Sequence, residues 1–224
     1  MKAKTDHHDT ARVNTAAGAA VEQRRRVQRL WLVVGSGILG LAIVTAVTAV
    51  AVTNPGGKPA PKGATSAPPW PAPTDPAARA KASGLRVAPM EGAALHIHQH
   101  LTVSVDGSSV EVPANLGVDP AAGGMSPLHT HDTSGIVHVE SPKVATFTLG
   151  QVFAEWGVAL GTDRVGGYVD GRNGRHVAVF VDGKLVTTAF PNVRLQDHQD
   201  IAVVITRGST QPAAPATSTW ANAE

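Results

Sequence analysis

The chain contains no cysteine. That excludes a disulfide scaffold, a thiolate zinc site and a cysteine nucleophile. Aromatic residues are scarce, at 4%, while Gly and Pro are abundant, at 23 and 16. One packed core through all 224 residues is therefore not expected. Charge is nearly balanced, with a net value of +2. Beyond the N-terminus the basic residues are scattered, so the electrostatic footprint of a nucleic-acid binder is missing. A nucleophile elbow, a P-loop and a Gly-rich dinucleotide fingerprint are missing too.

What is present is unevenly distributed. LWLVVGSGILGLAIVTAVTAVAVT, residues 30–53, holds no charged residue. About 20 apolar residues cross a hydrocarbon core, so this segment reads as a single-pass transmembrane helix. Residues 1–29, a basic and disordered tail, carry seven Lys or Arg, with Arg24, Arg25, Arg26 and Arg29 next to the apolar run. The positive-inside bias then places the N-terminus in the cytoplasm and the rest outside. Ala49-Val50-Ala51 leaves a cleaved signal peptide open as an alternative. In either case the expected location of the remainder is extracytoplasmic, at the cell membrane if the anchor is retained. Residues 54–83 contain eight of the prolines and read as an extended spacer, with Trp70 incidental. Residues 209–224 are low-complexity and read as a disordered tail.

Between spacer and tail, residues 84–208 read as one small α+β domain. In ALHIHQHLTVSVDG, apolar residues fall on odd positions (Leu95, Ile97, Leu101, Val103, Val105) and His96, His98 and His100 on even ones. Period-two alternation predicts a strand with one buried face. Asp106-Gly107 signals a hairpin turn. A second hairpin, HVAVFVDGKLV, repeats the pattern of HLTVSVDGSSV. Thr148-x-x-Gln151 is a capping box, and Leu149, Val152, Phe153 and Trp156 follow a helical stripe ending at Gly157. DIAVVIT, residues 200–206, is a closing strand. Two hairpins, one helix and a closing strand, in that order, predict a β-grasp-like domain; an insertion over about 114–146 adds one further strand, GIVHVE.

The histidines carry the chemistry. His96, His98 and His100 share one face of a strand, where neighbours are about 6.5–7 Å apart. Three in a line do not close easily on one ion, so a second element is needed. His129-Thr130-His131 is the obvious donor, and His138 in GIVHVE a further one. Imidazole suits both zinc and copper. The candidate metal ligands are therefore His96, His98, His100, His129, His131 and His138, for Cu(II) or Zn(II). Asp132 and Glu140 are candidates to orient ring N–H groups behind them. His176 and His198 read as structural and turn residues, and Met90 and Met125 as packing residues. No catalytic residue is assigned.

At these residues the sequence resembles a family of uncharacterised exported or membrane-anchored bacterial proteins, frequent in actinobacteria. The shared motifs read here HIHQHLTVSVDG, HTHDTSGIVHVESP and FTLGQVFAEWG, and the resemblance covers about residues 95–206. It implies one domain with one fold and no particular activity. Cupins also use H-x-H with an acidic partner, but there the Glu follows within about four residues, and Glu140 lies nine beyond His131. Three readings follow: a membrane-anchored metal-binding module for sequestration, delivery or sensing; a metal-dependent hydrolase with Glu140 or Asp132 as base; and a protein-interaction or pH-responsive domain without metal. The protein partner is open.

Overall fold

The computed structural model describes residues 62–89 and 92–217. The predicted membrane helix, the basic tail, Met90 and the last residues of the chain lie outside them. Among the described residues no helix is long and apolar enough to cross a membrane.

A seven-stranded mixed sheet organises the fold. Strand β1 (Leu95–Val105) is its spine. On one edge β1 pairs in parallel with β11 (Gln199–Arg207), which pairs antiparallel with β9 (Arg175–Val181) and through it with β10 (Lys184–Leu185). The other edge of β1 is divided. Its C-terminal part pairs with β2 (Ser108–Val110), and its N-terminal part with β6 (Ile136–Ser141), which carries β5 (Leu128–His129) at the rim. Two small ribbons, β3 (Val118–Asp119) with β4 (Gly124–Met125) and β7 (Arg164–Val165) with β8 (Tyr168–Val169), stand apart.

The local signals explain the elements they belong to. Both Asp-Gly turns have positive φ at both residues, 52° and 82° at Asp106-Gly107 and 50° and 74° at Asp182-Gly183. That is the geometry a tight two-residue hairpin needs. Helix α2 (Leu149–Trp156) begins where Gln151 Oε1 accepts the Thr148 backbone N–H at 3.0 Å, and ends on left-handed Gly157. Its Leu149, Val152, Phe153 and Trp156 are buried against the odd-numbered face of the sheet: Leu101 and Val103 of β1, Val137 and Val139 of β6, Val177 and Val179 of β9, and Ile201, Val203 and Ile205 of β11.

The fold class expected from sequence is corrected here. The described chain is mostly sheet with two helices, rather than two hairpins, one helix and a closing strand behind a free spacer. Strand β6, expected as part of an insertion, is an integral sheet strand. The second helix, α1 (Pro76–Ala82), lies inside the stretch read as a linker. The reason is Trp70. Its ring is 3% exposed and meets Trp156 edge-on at 5.7 Å, and Trp156 Nε1–H donates to the Trp70 carbonyl at 2.8 Å. Ala64 adds backbone bonds to Gly157 and Ala159. Proline-rich composition favours extended backbone; it does not prevent that backbone from burying an indole.

Candidate metal centre

Strand pairing assembles the cluster. Residues directly opposite across a ladder point to the same face. His98 of β1 is opposite His138 of β6, and His138 is opposite His129 of β5. One pair further along, His96 is opposite Glu140. The valines of β6 fill the core, so His138 and Glu140 must take the other face. Three strands thus bring both histidine runs to one place, with His138 between them.

The ring contacts radiate from His138. Its centroid is 4.6 Å from that of His98, 4.5 Å from His131 and 5.3 Å from His129, the last pair stacked. His96 and His98 are 4.8 Å apart, and His129 and His131 are 4.9 Å apart. Glu140 Oε1 lies 3.2 Å from His96 Nε2 and 3.5 Å from His138 Nδ1. Two groups can hold a metal ion: His96, His98, His138 and Glu140, and His129, His131, His138 and Glu140. Within each, the ligand atoms lie within 4.8 Å of one another. His138 and Glu140 belong to both.

Electrostatics favours the neutral, ligating form at the centre. The His138 pKa is lowered to about 3, first by burial and then by the neighbouring His131, His129, His98 and His96. Each imidazole that stays neutral offers a lone pair. The two groups differ in rigidity. His129 is 1% exposed, and its Nδ1–H donates to the Ser126 carbonyl at 3.0 Å. With Nδ1 carrying the proton, the Nε2 lone pair is the ligating one. His96, by contrast, has a side chain 57% exposed. The strand below it is anchored through the His98 backbone N–H, which donates to Asp197 at 3.0 Å.

The remaining expected residues are elsewhere. His100 belongs to neither group; its Nδ1 is 3.0 Å from Asp200 Oδ1 on β11. Asp132 shapes a turn, its Oδ1 accepting the Ser134 N–H at 2.8 Å. Hydrogen bonds from the Ser134 hydroxyl and then from its backbone N–H hold the carboxyl below the usual range. Glu140, by contrast, lies within the cluster, in both candidate groups and within reach of the His96 and His138 rings. His198 pairs with Asp197 at 2.7 Å in a left-handed turn, and His176 Nε2 is 3.1 Å from the Gly208 carbonyl.

Sequence reasoning missed the support behind His129. Ser126 Oγ–H donates to Glu155 of α2 at 2.5 Å, linking the loop that orients His129 to the helix. Glu155 is buried, and burial pushes its pKa up to about 7. Its one visible signal was an acidic residue among the apolar positions of the helix. No family model matches the chain, and no match is found among curated proteins or solved structures.

Proposed function

We propose that this domain binds one divalent transition-metal ion, Cu(II) or Zn(II), at the centre defined by His138 and Glu140. The observation that carries the reading is the sharing of these two residues by two ligand groups of three histidines and one carboxylate each. Imidazole with a single carboxylate is a donor set for zinc or copper, whereas calcium and magnesium take oxygen.

The two groups overlap and serve one ion at a time. Two divalent charges about 5 Å apart repel by about 13 kcal/mol at an effective dielectric constant of ~20. Glu140 is the only carboxylate in either group. The His129–His131 side, with a tautomer fixed by Ser126, is the tighter seat; the His96–His98 side is the more accessible one. Such an arrangement suits capture and hand-over, hence sequestration or delivery at the outer face of a membrane, where the apolar segment 30–53 would anchor it. A domain that senses pH near 6.5 is less well supported, because its central histidine stays neutral down to about 3.

The test is calorimetric titration of the full, metal-depleted chain with Zn(II) and Cu(II). One ion per chain is expected. His138→Ala should weaken binding at least about tenfold, and a conservative change at Glu140 to Gln by about 10- to 100-fold. Absence of binding at micromolar metal would remove the proposal.

A further inference from the structure

A cavity of about 330 Å³ lies where β9 begins and β11 ends. Four arginines line it: Arg164 of β7, Arg172 of the turn before β9, Arg175 at the start of β9 and Arg207 at the end of β11. Tyr168 and Asn173 supply a hydroxyl and an amide, and no acidic residue is in the lining.

This arrangement violates a local rule. Arg175 and Arg207 are direct cross-strand partners. Like charges in that position oppose each other and weaken the ladder. Arg175 is compensated: its guanidinium donates to Asp106 at 2.7 Å and lies 4.9 Å over the Tyr168 ring. Among the described residues, Arg164, Arg172 and Arg207 form no ion pair. Asp170, between β8 and β9, accepts the Val177 N–H at 2.9 Å. A concave surface with three guanidinium forks outside any ion pair, beside a fourth held by Asp106, is what an anion with several oxygens requires. A lone carboxylate offers two oxygens and satisfies one fork. A phosphate group offers more, to donors arriving from separate elements.

We infer that the cavity bounded by Arg164, Arg172, Arg175 and Arg207 is a binding site for a phosphate-bearing anion, either free or as a lipid headgroup. The site is independent of the histidine centre.

The test uses the full chain, metal-depleted, titrated at constant ionic strength with inorganic pyrophosphate and, separately, with monomeric dihexanoyl phosphatidic acid, whose phosphomonoester keeps three non-bridging oxygens. Saturable binding of at least one, with Kd of about 1 mM or tighter, is expected. Binding of pyrophosphate alone assigns a free anion, and binding of the lipid a headgroup; either supports the site. Arg164→Ala with Arg207→Ala should weaken it at least about tenfold. Arg164→Lys with Arg207→Lys keeps the charge but loses the forks, and should weaken it less. If the alanine pair fails to fold, the lysine pair decides alone: unchanged affinity overturns the assignment. So does the absence of saturable binding by either probe, or equal affinity in the folded alanine variant.

Discussion

Replacing Glu155 by Gln should make the protein more stable at neutral and alkaline pH, and the size of the gain follows from the site. The Glu155 carboxyl is buried beneath Ser126, and burial lifts its pKa from 4.5 to about 7. Between those values the folded state keeps a proton that the unfolded chain has released. The unfolded state therefore binds fewer protons, and stability falls as pH rises through this window. Above about 7 both states are ionised and the loss is complete. At 1.36 kcal/mol per pH unit, the loss amounts to about 3 kcal/mol. Gln keeps an Oε1 acceptor for the Ser126 hydroxyl and never ionises. The difference in unfolding free energy between Glu155→Gln and the parent should then grow by about 3 kcal/mol from pH 4.5 to pH 8. Any constant cost of the amide is a vertical offset and leaves this growth intact. Urea unfolding followed by the fluorescence of Trp70 and Trp156 reads it, and other titrating groups cancel in the difference. Two parallel stability curves across that range would refute the argument.

Other outcomes can be checked with the same methods. His138 has the opposite sign: its folded pKa lies far below the unfolded one, so it contributes stability above about pH 6.5 that is lost as pH falls towards 3. His138→Leu should accordingly flatten the acid limb of the stability profile. Trp70→Ala should cost about 3–5 kcal/mol in urea unfolding, because the ring is part of the core; a cost below about 1 kcal/mol would return that stretch to the status of a spacer. Gly117→Ala should lower Tm strongly, since φ is +69° there and an added Cβ would clash with the Leu128 carbonyl. His100→Ala should leave Zn(II) affinity within about threefold of the parent in calorimetry, its ring being engaged with Asp200.

Much of this structure was legible where the signal is local. The alternation in β1, the two Asp-Gly turns and the capped stripe of α2 depend on neighbours a few residues away, and each stands as expected from its pattern. The histidine face of β1 was readable for the same reason. Register was not. Nothing local says that β6 pairs with the first half of β1 while β2 takes the second half, yet that division puts His138 between His98 and His129. It also separates His100 from the cluster, because the parallel partner at that point is Asp200. Glu140 was legible as a residue on the right face but not as a member of both ligand groups. The burial of Trp70 and the formation of α1 depend on a long-range contact with Trp156, which composition conceals. The Ser126 carbonyl behind His129 is backbone, and backbone chemistry leaves no mark on residue type.

In the proposed function, strands β1, β5 and β6 converge on one ion through His138 and Glu140. Anomalous diffraction at the zinc or copper edge from crystals grown with the ion tests it most directly. One strong peak per chain is expected, about 2.0–2.1 Å from a His138 ring nitrogen and within bonding reach of Glu140. A peak at another histidine with His138 unoccupied, or two peaks of full occupancy within the cluster, would contradict it.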